Sequence, residues 1–176
     1  ESPTPNPQSL GLDLPTYLYD AESPRVFATP RHFAYIKVAE GCDYKCSFCI
    51  IPKLRGHYRS RPVETIVREA HSLAARGVRE LILISQDTTF YGIDRKERGA
   101  LPRLLRALND VDGLEWIRLL YLYPTTISDD VVQAIADLDK QRAQLRLVGR
   151  RYLIDVVMQT PQRFSDAFRA AVEAEL

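Results

Sequence analysis

Cys42, Cys46 and Cys49 are the only cysteines of the chain, and they follow the spacing C-x3-C-x2-C. Three thiols crowded in this way do not make a disulfide framework. Thiolates instead select zinc, copper(I) or iron–sulfur clusters. Zinc asks for a fourth protein ligand, and the nearest candidate is His57. A four-iron cluster asks for less: three irons take the three thiolates and one iron stays open to a small molecule. Unrelated buried thiols are the third reading.

Just beyond the cysteines, Lys53, Arg55, Arg59 and Arg61 surround His57 and Tyr58. Basic residues interleaved with an aromatic invite a nucleic-acid reading. The plainer reading has Arg55 and Gly56 shaping the loop and the others forming a solvated face. A formal net charge of +1, from 24 Lys+Arg against 23 Asp+Glu, favours the plainer one, so direct nucleic-acid binding is not expected. Hydrophobic residues make up 45% and charged residues 27%, an ordinary globular balance. The apolar run at Leu81 to Ile84 is far too short to cross a bilayer. Position 1 is Glu and no apolar secretory segment follows it, so a cytoplasmic location is expected.

The elements that must position the cysteines alternate. Phe33 to Val38 reads as a strand that Glu40-Gly41 breaks, and the cysteine loop follows it directly. Pro62 suits the first position of a helix whose apolar stripe is Val63, Ile66, Val67, Ala70, Leu73 and Ala74, with Gly77 as its stop. Leu81 to Ile84 reads as a strand covered on both faces. Leu101 to Leu108 reads as a second helix and Trp116 to Leu122 as a third strand, with Trp116 in the core. Ser128 caps a third helix striped by Val131, Val132, Ile135 and Leu138. Three βα units of this kind predict an α/β fold with a parallel sheet, and a ligand site at the carboxyl ends of its strands. Beyond Leu138 the pattern weakens: Leu145 to Val148 and Tyr152 to Val157 read as short strands, and Arg163 to Glu175 as a terminal helix. The expected division is a Pro-rich arm or linker over 1–32, a core over 33–138 and a divergent segment over 139–176.

The cysteine spacing, with the aromatic Phe48 just before the last cysteine, resembles the signature of the radical S-adenosylmethionine (radical SAM) superfamily. The wider run is similar to its methylthiotransferase branch: Glu40-Gly41-Cys42, Cys46-Ser47-Phe48-Cys49-Ile50-Ile51-Pro52, Arg55-Gly56 and Ser60-Arg61-Pro62. Within that branch, Ile84-Ser85-Gln86-Asp87-Thr88-Thr89, Tyr91-Gly92, Pro15 to Asp20 and Tyr121-Leu122-Tyr123-Pro124 resemble the RimO type. The sister MiaB type, which modifies tRNA, usually carries a Gly-Gln-Asn type segment where this chain has Ser85-Gln86-Asp87. The resemblance covers roughly residues 15–138.

It implies a partial TIM-type barrel, a 4Fe-4S cluster on Cys42, Cys46 and Cys49, and S-adenosylmethionine on the open iron. The implied reaction is methylthiolation of an aspartate β-carbon in a small-subunit ribosomal protein, fed by an electron donor such as flavodoxin or ferredoxin. Phe48 would flank the adenine, and Ser85, Gln86 and Asp87 would meet the methionine amino group. Asp87 has a second reading, as an Asx turn or helix cap. Tyr121 and Tyr123 would face the same mouth or else pack between sheet and helix. RimO proteins also carry an N-terminal domain with three further cysteines and a C-terminal TRAM domain. No cysteine precedes Cys42 and only three βα units are clear, so the expectation is a truncated or frameshifted fragment. Such a chain would be marginally stable or would pair with another polypeptide, and an inactive piece that only binds a cluster or zinc is the competing reading.

Overall fold

A computed structural model describes residues 14–123, 127–135 and 151–154. Its centre is a four-stranded parallel sheet: β1 (Phe33–Lys37), β4 (Glu80–Ile84), β5 (Trp116–Leu119) and β6 (Arg151–Ile154), paired in that order. Beside it, β2 (Ala39–Glu40) and β3 (Arg59–Ser60) form a short antiparallel pair. Between them lies the one-turn α1 (Ile51–Arg55). The crossover from β3 to β4 is α2 (Val63–Ala75), and that from β4 to β5 is α3 (Ala100–Asn109). Residues 129–135 are helical and follow β5. Parallel strands that neighbour one another in chain order form a barrel wall; a doubly wound sheet would reverse its order.

The alternation of side chains along each strand separates two faces. Ala34, Ile36, Leu81, Leu83, Ile117 and Leu119 point toward the helices and join one hydrophobic core. Helix α2 meets them with Val63, Ile66, Ala70 and Leu73, and α3 with Leu101, Leu104, Leu105 and Leu108. On the other face stand Tyr35, Lys37, Ile82 and Arg118 in register positions that alternate with the first set. Arg118 Nε donates to Glu80 Oε1 there at 2.7 Å. Of these, Ile82 is buried, so the central β4 is covered on both faces as its uninterrupted apolar run predicts.

Several boundaries differ from the sequence reading, each for a local reason. Pro62 is the cap of α2 and not its first residue. The third strand ends at Leu119, because Tyr121 turns out of extended geometry with φ of +58°. Trp116 is half-buried, since its position falls on the face away from the helices. Helix α2 ends before Gly77, whose φ of +91° reverses the chain as the helix-stop reading requires. A strand does form at Arg151–Ile154, which carries the sheet past the core boundary at 138. Leu138, the strand over 145–148, positions 155–157 and the terminal helix over 163–175 lie outside the described residues, as does the arm before residue 14.

The described part of the arm is bound to the core. Arg25 pairs with Glu69 at 2.8 Å, Arg76 stacks on Phe27 with its guanidinium carbon 4.0 Å from the ring centre, and Arg59 donates to the Tyr17 carbonyl at 3.4 Å.

Candidate metal and cofactor site

The loop after β2 begins with a close approach. Gly41 has φ of +86°, and a Cβ there would stand 2.1 Å from the His57 carbonyl oxygen. Only glycine permits this passage. The Cys42 amide then donates to the Gly56 carbonyl at 3.1 Å, and the Cys49 amide to the Cys46 carbonyl at 3.1 Å. The loop is thereby folded back on itself before α1 begins.

All three cysteines line one cleft of about 500 Å³ at the carboxyl ends of the strands. Ser85, Gln86 and Asp87 line it from the end of β4, and Tyr121 and Tyr123 from beyond β5. Lys37 and Tyr44 complete the polar lining. Phe48 is not among these residues: its side chain stands outside the cleft and is 92% exposed. His57 also lies outside the cleft, with Nδ1 on Asp43 Oδ1 at 2.9 Å.

The donor set fits a cluster: three thiols line one cleft, and a cubane takes one thiolate on each of three irons. Burial pushes the Cys42 thiol above its ordinary value, and Cys49 and Cys46 raise it further. Metal binding must displace that proton, because thiolate is the ligand form.

The polar wall holds one orphan. Gln86 Oε1 is buried with no hydrogen-bond partner, while its Nε2 donates to Glu40 Oε1 at 3.4 Å. A buried acceptor without a donor is costly, and an incoming ammonium would satisfy it. Asp87 is differently placed. It caps the short 3-10 turn Thr88–Phe90, accepting from the Thr89 amide at 2.9 Å and from the Thr89 hydroxyl. Its other oxygen accepts from Tyr44 at 2.9 Å. The capping reading of Asp87 therefore describes what its carboxylate does. The same turn is fixed to the next strand by Thr88, whose hydroxyl donates to the Leu120 carbonyl at 2.6 Å.

The basic segment is not a solvated face throughout. Tyr58 is 4% exposed and donates to the Asp87 carbonyl at 2.6 Å. Arg61 is 1% exposed and ion-paired to Glu69 at 2.7 Å. Glu40 is buried as well, pairing with Lys37 and lying 3.6 Å from Arg55. Glu40 and Tyr44 are site and support residues to which sequence reasoning gave no role, and Tyr58 and Arg61 are ones it read as part of a basic face. Their signal was their place within or beside the cysteine motif.

The family described as the radical SAM superfamily matches residues 36–174. The chain is 56% identical over 125 residues to the ribosomal protein uS12 methylthiotransferase RimO of Koribacter versatilis, covering 71% of this chain and 25% of that protein. The RimO of Caldanaerobacter subterraneus is 52% identical over 126 residues, covering 72% of this chain and 29% of that protein. That of Heliobacterium modesticaldum is 49% identical over 129 residues, covering 73% and 28%. The chain thus spans between a quarter and three-tenths of the length of these curated relatives. Among solved structures, the radical S-adenosylmethionine methyltransferase TsrM of Kitasatospora setae matches with a TM-score of 0.48 at 18% identity, covering 84% of this chain and 38% of that one. With its cysteine loop at the carboxyl ends of parallel strands and its family match over most of its length, the chain belongs to the radical SAM superfamily.

Proposed function

We propose that the chain is the cluster-holding part of a RimO-type methylthiotransferase that acts on an aspartate of ribosomal protein uS12. The observation that carries this reading is the gathering of Cys42, Cys46 and Cys49 with the Ser85-Gln86-Asp87 wall around one cleft. The similarity to RimO, over 71% of this chain, supports it.

When bound, the cluster and S-adenosylmethionine supply one-electron cleavage of the sulfonium to a radical able to take hydrogen from carbon. The chain's own residues bind and orient. Cys42, Cys46 and Cys49 hold three irons as thiolates. Gln86 Oε1 accepts from the methionine amino group, and Ser85 and Asp87 hold the wall from which Gln86 projects. Tyr123 borders the cofactor space. Phe48, exposed beside Cys49, would flank the adenine. Lys37 gives the cleft wall a cation, held by Glu40. Residues 1–32 serve as the arm, 33–138 as the first part of the core, and 139–176 as the segment that continues it. A small one-electron carrier such as flavodoxin or ferredoxin supplies the electron, in the cytoplasm. No helix among the described residues is long and apolar enough to cross a membrane.

The test is anaerobic reconstitution followed by iron and sulfide analysis, electron paramagnetic resonance with and without S-adenosylmethionine, and mass analysis of uS12. A four-iron signal that shifts on adding the cofactor supports the reading. Zinc bound in place of iron overturns it.

A further inference from the structure

Tyr44 sits inside the cysteine motif, two residues after Cys42 and two before Cys46. It reaches across the cleft to a residue 43 positions away in the chain. Its hydroxyl donates to Asp87 Oδ2 at 2.9 Å. Its ring packs against Tyr123, with centres 5.3 Å apart, and against Phe90 at 6.2 Å. Asp87 is 2% exposed and is fixed from three further directions. The Thr89 amide and hydroxyl hold its second oxygen. The Tyr58 hydroxyl holds its carbonyl at 2.6 Å. Tyr58 in turn packs edge-on against Phe90 at 5.1 Å. So a rigid post stands just beyond β4, and Tyr44 of the cysteine loop is tied to it.

We propose that Tyr44 and Asp87 form a latch, a pair of positioning residues that sets the cysteine loop at a fixed height over the end of β4. The inference rests on the cluster reading for its consequence, though the latch itself exists in the chain without a cluster. Asp87 acts through Tyr44 and through the turn it caps, while the neighbouring Gln86 lines the cleft and keeps a buried acceptor without a donor. A hydrogen bond to a buried carboxylate is among the stronger neutral–charged contacts. Losing it frees the loop without emptying the space, provided the ring remains.

The experiment compares the chain with its Tyr44→Phe, Asp87→Asn and doubly substituted forms. Phe keeps the ring contacts and Asn keeps an oxygen and the side-chain size. The first readout needs no cluster: the rate at which an alkylating reagent modifies Cys42 and Cys49 in the metal-free chain. Tyr44→Phe is expected to speed this modification about tenfold, with the melting temperature little changed. The second is the affinity for S-adenosylmethionine and the resonance signature of the reconstituted protein. Tyr44→Phe is expected to keep its iron and sulfide, yet bind the cofactor about tenfold more weakly with an altered signal. The double form should be no worse than the worse single form, because both break one contact. Unchanged alkylation rates in Tyr44→Phe overturn the latch. So does Asp87→Asn weakening cofactor binding while Tyr44→Phe leaves it intact, since Asp87 would then touch the cofactor itself. A chain that takes up no iron at all fails the cluster reading, while the alkylation rates still decide the latch.

Discussion

Arg61 Nη1 lies 2.7 Å from Glu69 Oε2, and the two side chains are 1% and 9% exposed. The pair joins the residue just after β3 to α2. Arg61 Nη1 also donates to the Lys37 carbonyl at 2.9 Å, which reaches β1, and Glu69 holds Arg25 of the arm. Four segments, the chain after β3, α2, β1 and the arm, thus meet at one ion pair.

Arg61→Ala should cost roughly 3–5 kcal/mol, because it strands the Glu69 carboxylate in the core. Urea unfolding followed by fluorescence measures it. Arg61→Met combined with Glu69→Leu should recover most of the loss, since two apolar side chains of similar volume leave no charge behind. A double variant as unstable as the single would mean that the pair is needed for its geometry.

Each of Cys42→Ala, Cys46→Ala and Cys49→Ala should abolish assembly of a four-iron cluster while the fold survives. The three thiolates sit on a loop outside the hydrophobic core, so their loss removes metal affinity more than stability. Iron and sulfide content beside circular dichroism checks this. A full iron complement in any one variant contradicts the ligand assignment.

Gly41→Ala tests the loop from the other side. The added Cβ would stand 2.1 Å from backbone oxygen in a left-handed conformation, so the chain must shift. The expected cost is at least roughly 1–3 kcal/mol, with cluster uptake reduced more than stability because the displaced residue adjoins Cys42. Equal uptake by the variant would mean that the loop adapts freely.

The sequence exposed the cysteine spacing and the βα alternation because both are periodic or local signals. The stripe Val63, Ile66, Ala70 and Leu73 is readable without knowing what it meets, and the structure buries all four. Asp87 was harder. Its chemistry suits either an ammonium or a cap, and only the approach of Tyr44 and Thr89 decides what its oxygens do. Arg61 and Tyr58 looked like a solvated face because their neighbours Lys53 and Arg55 are one. A charge in a basic run carries no mark of burial until Glu69, on the following helix, comes within reach. Phe48 is expected from the resemblance to flank the adenine, and in the structure its side chain is exposed and outside the cleft lining.

Tyr91 gives the fold an alkaline limit. Its ring is 2% exposed, and its hydroxyl donates to the Arg61 carbonyl at 2.6 Å. Burial pushes its phenol up to about 12, against 10.0 for an exposed one, with Arg95 working partly against the rise. Tyr58 is pushed up as well, chiefly by burial. The folded state therefore holds these protons where the unfolded chain has released them, and stability falls as pH rises. The contribution is fully present below 10.0 and is lost as pH climbs through about 12. Tyr91→Phe should cost about 1 kcal/mol near neutral pH by leaving the Arg61 carbonyl short of a donor. It should also make the decline between 10.0 and about 12 shallower than in the unsubstituted chain. Urea midpoints taken across that range measure both effects. Parallel declines in the two proteins would mean that Tyr91 does not titrate on unfolding.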